Sequence, residues 1–247
     1  EGGKLRRYAH LSTGNYNPST ARLYTDVSYL TADEALTADL DQVFLHLASQ
    51  NRLPKLNKVL MAPFHLHRAM TEQVEAAAAA ARAGKAARIA IKVNSLTDEP
   101  LCRSLAEASQ AGVQIDLIVR GSCILPAGVK GQTENVRVRS VIGRLLEHSR
   151  VYYFSIDGQE SLWLASADWM NRNMLRRVEL AWPVTDVVLR RRIIDECLLA
   201  YLYDTKDAWL LQPDGSYQPA GQAEDGKARS ALHSAQQHLM SRYGTRG

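Results

Sequence analysis

A strand, a helix and a second strand in close succession set the strongest limit on how this 247-residue chain can fold. The sequence predicts a buried strand at Arg88–Asn94, a helix from Asp98 to Gln110 and an apolar strand at Val113–Val119. Runs such as Ile115 to Val119 are typical of parallel strands that are covered on both faces. We therefore predict an α/β layer that contains parallel strand pairs.

Further segments extend this layer on both sides along the chain. The other predicted strands are Lys4–Leu11, Arg22–Leu30, Lys58–Ala62, Val136–Val141, Val151–Ile156, Leu162–Ala165 and Val178–Val184. Helices are expected from Thr31 or Asp33 to about Ala48, at His65–Ala83, at Val187–Tyr203 and from about Gly226 to Tyr243, with a loop at Gln212–Ala223. The polar link Gln50–Pro54 is the expected boundary between a domain of residues 1–56 and a domain of residues 57–247.

Bulk composition excludes several classes of protein. The three cysteines, Cys102, Cys123 and Cys197, fit no metal-binding spacing and are odd in number, which favours a reducing compartment. No apolar run reaches the length of a membrane span, and no signal peptide is recognisable. We expect a cytoplasmic protein.

The positive charge of the chain is concentrated in one stretch. Between Arg120 and Arg177 there are nine lysines and arginines and five acidic residues, whereas the rest of the chain has 21 of each. A basic surplus around a titratable histidine, His148, indicates an anionic substrate. A solvated basic face is the alternative interpretation of the same pattern.

His148 stands at the start of the strand Val151–Ile156, with Arg144 before it and Arg150 after it. A histidine can transfer a proton near neutral pH or carry a phosphoryl group, and guanidinium groups neutralise phosphate oxygens. About twenty residues later comes the polar turn that begins at Ser166. This arrangement is similar to half of a phosphoryl-transfer site of the phospholipase D superfamily, although a structural histidine at a strand start is the other interpretation.

A weak internal repeat predicts a second half-site. Ser12-Thr13-Gly14-Asn15-x-Asn17 is similar to Ser166-Ala167-Asp168-x-x-Asn171-x-Asn173. By this analogy, the second histidine motif belongs about twenty positions before Asn15, which is upstream of residue 1. The first residues, Glu1 to Lys4, favour a hairpin turn, so we expect the chain to be a fragment that begins inside a domain.

Five motifs, in one order, resemble the C-terminal half of the first, bacterial type of polyphosphate kinase. They are Tyr8–Asn17, Thr20–Asp26, Leu117–Gly121, Leu146–Val151 and Ser166–Asn173, and the resemblance extends from residue 1 to about Tyr217. It implies an α/β fold with a phospholipase-D-like mixed sheet flanked by helices, in which one complete domain follows the end of a similar domain.

The resemblance also implies an activity. The γ-phosphoryl group of ATP is transferred reversibly to a histidine and then to the end of inorganic polyphosphate, with Mg²⁺ accompanying the nucleotide. The phosphorylated histidine of the family lies upstream of residue 1, so we expect the isolated chain to be inactive. The expected partners are ATP, ADP and polyphosphate, with no nucleic acid and no membrane span, and the expected assembly is a homo-oligomer.

Residue roles follow from the matching motif positions. Tyr24, Arg120 and His148 resemble ATP-site residues, Arg177 resembles a phosphate contact, and His10 resembles the second important histidine of the preceding domain. We also expect Arg150 to bind phosphate, and Glu179 to orient Arg177 by a salt bridge. Without the family, Tyr24 is equally consistent with a half-buried sheet tyrosine, and Arg120 requires either an anion or an acidic partner.

Two other functions remain open from the residues alone. A phospholipase-D-like phosphodiesterase needs two His-x-Lys motifs, and this sequence contains none. A non-catalytic module that binds polyanions or supports assembly is compatible with the basic surplus.

Overall fold

The computed structural model describes residues 6–49, 52–222 and 232–244 of the chain. The strands are β1 (Ala9–Ser12), β2 (Tyr24–Thr25), β3 (Ser28–Thr31), β4 (Leu60–Ala62), β5 (Ala87–Val93), β6 (Gln114–Val119), β7 (Val136–Val141), β8 (Leu146–Glu147), β9 (Arg150–Ile156), β10 (Gln159–Ala165), β11 (Glu179–Pro183), β12 (Ala208–Leu211) and β13 (Tyr217–Pro219). The helices are α1 (Pro18–Ala21), α2 (Glu34–Ser49), α3 (Leu66–Arg82), α4 (Glu99–Gln110), α5 (Asn171–Leu175), α6 (Val187–Ile193), α7 (Ala200–Leu202) and α8 (Ala235–Tyr243), with a π-helical turn at Ile194–Leu199.

Nine strands form one mixed sheet in the order β13-β12-β7-β6-β5-β9-β10-β11-β4. The central neighbours β5, β6 and β7 are parallel, and the strands added on either side are antiparallel. The register pairs Lys92 of β5 with Ile118 of β6 and with Val151 of β9. This register places the end of β5, the end of β6 and the start of β9 at the same edge of the sheet.

The two faces of the sheet are covered by different elements. Ile89, Ile91 and Val93 of β5 pack in the cluster that α3 and α4 cover. Ala90, between them, belongs to the opposite cluster, which contains side chains from α2 and from the segment that runs from α6 to α7. The alternation along β5 therefore assigns each side chain to one of two cores.

An N-terminal unit, residues 6–49, lies against the second face. Within the described residues, β1 pairs only with β3, in an antiparallel two-stranded sheet. Helix α2 buries Leu36 and Leu40 in the same cluster as Trp182 of β11. A second small ladder, between β2 and β8, joins this unit to the loop before β9. The unit thus depends on the large sheet for much of its burial.

The predicted α/β class, with a mixed sheet flanked by helices, is confirmed. The helix expected from Asp98 is α4, and the Asp98 carboxylate caps it by accepting a hydrogen bond from the Leu101 N–H. The prediction of parallel pairs is also confirmed, and Val136–Val141 is predicted with the observed bounds. Within the described residues, no helix is both long and apolar enough to cross a membrane.

Several elements differ from the prediction, and the extended segment Arg22–Leu30 is divided into β2 and β3, which lie in different sheets. The first strand is Ala9–Ser12 and not Lys4–Leu11, although residues 1–5 lie outside the described residues. The expected loop Gln212–Ala223 contains β13, which forms a hairpin with β12. The predicted helix Val187–Tyr203 is interrupted by the π-helical turn. The last helix starts at Ala235, where Ser234 accepts a hydrogen bond from the Gln237 N–H; residues 226–231 lie outside the described residues.

Candidate functional site

A polar cavity of about 350 Å³ lies where the edge of the large sheet meets the N-terminal unit. Asn94 and Arg120 directly follow the parallel strands β5 and β6, and carboxyl ends of parallel strands are the usual location of ligand sites in α/β sheets. The cavity is lined by five of the six predicted site residues: Tyr24, Arg120, His148, Arg150 and Arg177. The structure therefore brings His148 together with the three arginines in one cavity.

The two polar turns that the sequence repeat singled out both border this cavity. Thr13, Gly14 and Asn15 follow β1, and Ser166 and Asp168 follow β10. The repeat therefore marks two equivalent strand exits that contribute to one cavity.

The side chain of His148 is oriented by Asp26. Both carboxylate oxygens of Asp26 lie 3.0 Å from the Nδ1 atom of His148, and Thr13 Oγ1 donates to the same carboxylate at 2.7 Å. A Cβ atom on Gly14 would lie 2.0 Å from Asp26 Oδ2, so the carboxylate occupies space that only glycine leaves free. Because a carboxylate only accepts hydrogen bonds, Nδ1 is the donor, and Nε2 is the ring nitrogen that lies 3.1 Å from Arg150 Nη1.

The backbone of His148 is held by the β2–β8 ladder. Its N–H donates to the Thr25 carbonyl oxygen at 3.2 Å, and the ring of Tyr24 lies 4.9 Å from the imidazole ring between centroids. Tyr24 and Asp26 share one side of an extended segment because they are two residues apart. The N-terminal unit therefore supplies both groups that contact the His148 ring from this side.

Arg120 has no carboxylate partner among the described residues. Its Nε atom donates to Asn94 Oδ1 and to the Glu147 carbonyl oxygen, both at 3.0 Å. Among the same residues, the two terminal nitrogens have no hydrogen-bond acceptor. The guanidinium is held in place through Nε, and its terminal nitrogens remain free to donate, so the expected role of Arg120 in binding an anion stays a prediction.

Arg150 is bound differently from Arg120. Its Nε and Nη2 atoms donate to the two oxygens of Asp168 at 3.2 and 3.1 Å, and Nη1 donates to the Thr13 carbonyl oxygen at 2.8 Å. Nη1 also lies 3.1 Å from His148 Nε2. The arginine is buried, and this pairing satisfies most of its donors. Arg150 thus contacts both the His148 ring and the turn after β1. Its role as a phosphate contact stays a prediction.

Arg177 and Arg172 add two exposed guanidinium groups to the cavity lining. The expected salt bridge between Glu179 and Arg177 is wrong, because the Glu179 carboxylate instead accepts hydrogen bonds from Ser166 Oγ and, at 2.6 Å, from Asn173 Nδ2. Within the described part of the chain, neither arginine forms an ion pair. Together with Arg120, the cavity has three guanidinium groups that are not neutralised by a carboxylate.

A buried ion pair lies behind His148. Lys92 Nζ donates to Glu147 Oε2 at 2.7 Å, although Lys92 occupies a core position on β5 and is only 2% exposed. Burial alone would lower the pKa of Lys92, but the Glu147 carboxylate raises it above its usual value. Burial alone would raise the pKa of Glu147, but Lys92 and the other hydrogen-bond donors hold it below its usual value. Both groups are therefore charged at neutral pH.

His10 is not brought to this cavity. It is exposed on β1, because the neighbouring Leu11 takes the buried position of that strand. Its Nδ1 atom lies 2.9 Å from the Tyr16 hydroxyl, and it lines a second, more apolar cavity of about 770 Å³. The geometry gives His10 no contact with the His148 site, so its catalytic role stays a prediction.

Sequence reasoning missed Asp26, Asn94 and Glu147 as site residues. Asp26 had a usable signal, since alternation places it on the same side as Tyr24. Asn94 also had one, since it follows a strand parallel to the one that Arg120 ends. Glu147 had none, because its partners come from segments far away in sequence.

Comparisons with known proteins were consistent with one another. Residues 59–231 match the family described as polyphosphate kinase C-terminal domain 2, and residues 1–53 match polyphosphate kinase C-terminal domain 1. A polyphosphate kinase of Neisseria meningitidis serogroup B is 50% identical over 224 residues, which are 91% of this chain and 33% of the relative. One of Burkholderia ambifaria is 47% identical over 245 residues, which are 98% of this chain and 35% of the relative.

A solved structure gives the same result for the fold. The crystal structure of polyphosphate kinase from Porphyromonas gingivalis superposes with a TM-score of 0.86 at 34% identity, and the match covers 98% of this chain and 36% of that one. The chain therefore spans about a third of the length of the relatives that it matches.

Proposed function

Because this chain belongs to the polyphosphate kinase family, we propose that it forms part of the phosphoryl-transfer site of an ATP:polyphosphate phosphotransferase. One observation carries the proposal. Three guanidinium groups without a carboxylate partner among the described residues, those of Arg120, Arg172 and Arg177, surround a histidine that Asp26 orients. Positive groups around an oriented proton-transfer group are what the transfer of an anionic phosphoryl group requires.

In this proposal the arginines bind phosphate oxygens. Arg120 is the best placed of the three because its Nε bonds to Asn94 and Glu147 fix the direction of its free terminal nitrogens. Arginine forks match phosphate oxygens two at a time, which fixes orientation as well as charge. Tyr24 offers a partly buried ring for stacking on adenine.

His148 acts as the proton donor and hydrogen-bond partner of the moving group. With Nδ1–H held by Asp26, a protonated ring donates from Nε2 to an oxygen of the phosphoryl group or of the leaving phosphate. The bond between the γ-phosphorus and the oxygen of ADP breaks as a bond to the acceptor nitrogen forms. A terminal oxygen of polyphosphate then displaces that nitrogen. We propose that the acceptor histidine lies in a part of the longer protein outside this chain.

Mg²⁺ enters this proposal only with the nucleotide. The cavity carboxylates are already engaged, Asp168 by Arg150 and Glu179 by Ser166 and Asn173. Within the described residues, no cluster of three or more histidine, cysteine or acidic side chains is arranged to hold a metal ion. The described residues of this chain therefore do not fit a Mg²⁺ site of their own.

The remaining expectations are part of the same proposal. ATP, ADP and polyphosphate are the proposed small-molecule partners, the proposed assembly is a homo-oligomer, and the proposed location is the cytoplasm. The three cysteines are unpaired in the structure. This supports the cytoplasm as the location, because unpaired cysteines persist in reducing compartments.

The test uses γ-labelled ATP and a full-length polyphosphate kinase that contains this chain. We expect His148→Ala to lower polymer formation by about 10²–10⁴-fold, the usual contribution of general acid–base catalysis, while labelled protein still forms slowly. The control His238→Ala changes an exposed histidine on α8 and leaves both readouts unchanged.

Two results would contradict this assignment. Unchanged polymer formation in His148→Ala would return His148 to a structural role. Stoichiometric label mapped onto His148 in the wild type would make it the acceptor. Binding of polyphosphate without any transfer, in the full-length protein, would instead support the polyanion-binding alternative.

A further inference from the structure

We propose that Gln236, on the C-terminal helix α8, is a positioning residue that sets the location of His148 and Arg120 through the short strand β8. The proposal rests on the proposed function in one respect, since the ligand used to test it is a phosphate chain. It goes beyond that function because it assigns a role in the site to a helix that lies outside the cavity.

The side-chain amide of Gln236 binds the backbone of Leu145, directly before β8, as a neighbouring strand would. Its Oε1 atom accepts from the Leu145 N–H at 2.9 Å, and its Nε2 atom donates to the Leu145 carbonyl oxygen at 2.8 Å. Nε2 also lies 2.6 Å from Glu147 Oε1. Gln236 is 3% exposed and Leu145 is half-buried, so the loss of these bonds would leave partly buried backbone groups unpaired.

Gly143 shows independently that the amide occupies a fitted place. A Cβ atom on Gly143 would lie 2.5 Å from Gln236 Oε1 and 2.8 Å from its Cδ atom. The loop before β8 can thus approach the Gln236 side chain only with glycine at this position.

Glu147 connects this contact to the rest of the site. One oxygen of its carboxylate accepts a hydrogen bond from Gln236 Nε2. The other oxygen accepts from Lys92 Nζ and, at 2.8 Å, from Thr25 Oγ1. These donors come from α8, from β5 of the large sheet and from β2 of the N-terminal unit. A single buried carboxylate therefore joins three parts of the molecule.

Two site residues depend directly on the position of Glu147. Its carbonyl oxygen accepts from Arg120 Nε at 3.0 Å, and its chain neighbour is His148. A shift of β8 would move the histidine relative to Asp26 and would remove one of the two bonds that direct the Arg120 guanidinium. Displacements of about an ångström in positioning groups are enough to reduce binding and catalysis strongly.

The experiment compares Gln236→Leu with Gln237→Leu in the 247-residue chain. Gln237 is the matched control, because it is the same residue type on the same helix but is exposed and bonds only to Lys206 through its side chain. The first readout is the Kd for tripolyphosphate from calorimetry, and the second is the ring resonance of His148 in a ¹³C–¹H correlation spectrum without ligand. Both are recorded without urea, and urea unfolding of each variant shows that it is fully folded under these conditions.

We expect Gln236→Leu to raise the Kd by about tenfold, equivalent to about 1.4 kcal/mol, and to shift the His148 resonance. We expect Gln237→Leu to change neither. A purely structural role would lower the urea midpoint but leave the Kd and the His148 resonance of the folded protein unchanged, and that result overturns the proposal.

If Gln236→Leu does not fold, Gly143→Ala carries the same test, because the added methyl group displaces the Gln236 amide. An unchanged His148 resonance in that variant also overturns the proposal. If the wild type does not bind tripolyphosphate, the proposed function fails, whereas the His148 resonance still decides whether Gln236 positions the site.

Discussion

The large sheet and the N-terminal unit are built very differently, yet the candidate site takes groups from both. The sheet has nine paired strands and a core cluster on each face. Within residues 6–49, β1 and β3 pair only with each other, and Leu30 and Phe44 are 80% and 70% exposed. The sheet therefore has a complete core on the face that α3 and α4 cover, whereas the unit buries its apolar side chains mainly against the other face of the sheet.

The division of labour at the site follows this difference. The sheet supplies Arg120, which directly follows β6, whereas His148 lies between β8 of the small ladder and β9 of the sheet. The N-terminal unit supplies Asp26 and Tyr24, which contact the His148 ring. In this account the large sheet binds the substrate, and the N-terminal unit orients the proton-transfer group.

The largest effect is expected on the free energy of unfolding, from the buried ion pair between Lys92 and Glu147. Lys92→Met should lower the free energy of unfolding by about 3–5 kcal/mol, because it leaves the Glu147 carboxylate buried without its cation. The control Lys85→Met breaks an exposed pair with Asp157 and should cost at most about 1 kcal/mol. Urea unfolding measures both. Equal losses would mean that the sheet does not depend on this pair.

The same pair gives a pH dependence. The pKa of Glu147 is lower in the folded protein than its usual value, so its stabilisation is present above the ordinary carboxyl pKa and is lost as pH falls through the folded value. Glu147→Gln should therefore flatten the acid limb of the stability curve. An acid limb of unchanged slope would contradict this.

A smaller effect is expected from the N-terminal unit. Asp26→Asn removes the acceptor that holds His148 Nδ1–H and should lower kcat by about tenfold to a hundredfold, with little change in the KM for ATP. The assay uses a full-length polyphosphate kinase that contains this chain. Asp41→Asn, an exposed acidic residue of the same unit that pairs with Arg7, is the control and should have no effect. A rise in KM alone would show that Asp26 serves binding.

The smallest effect concerns local stability. Amide hydrogens of β1 and β3 should exchange at least about tenfold faster than those of β5 and β6, because the unit can open without disrupting the sheet. Hydrogen exchange followed by mass spectrometry measures this directly. Equal protection in both regions would show that they unfold together and would remove the basis of the comparison.

The sheet centre and the edge strand β4 were predictable from sequence, whereas the edge hairpin of β12 and β13 was not. Val136–Val141 was predicted with the observed bounds, because long apolar or alternating runs carry their own signal. The edge strand Tyr217–Pro219 has only three residues and shows no alternation of apolar and polar side chains. Only its pairing with β12 makes it a strand. The two-residue strands β2 and β8 are defined by a partner about 122 positions away, which local patterns cannot show.

The site was predictable to a similar degree. Arg120 and His148 were found because a charged residue at the end of an apolar strand and a histidine in a basic stretch are conspicuous. Gln236 was not found, since a glutamine on a polar helix gives no sign of three buried hydrogen bonds. Contacts of this kind depend on tertiary packing, and only the structure shows them.

The most direct test of the account is calorimetric titration of the 247-residue chain with tripolyphosphate and with ATP. We expect the wild type to bind both, and Arg120→Ala to weaken binding by about tenfold to a hundredfold, the usual contribution of hydrogen bonds to charged groups. Arg103→Ala, an exposed arginine on α4 that pairs with Glu99, should bind like the wild type. Equal Kd values for the two variants would contradict the claim that this cavity is a phosphate site.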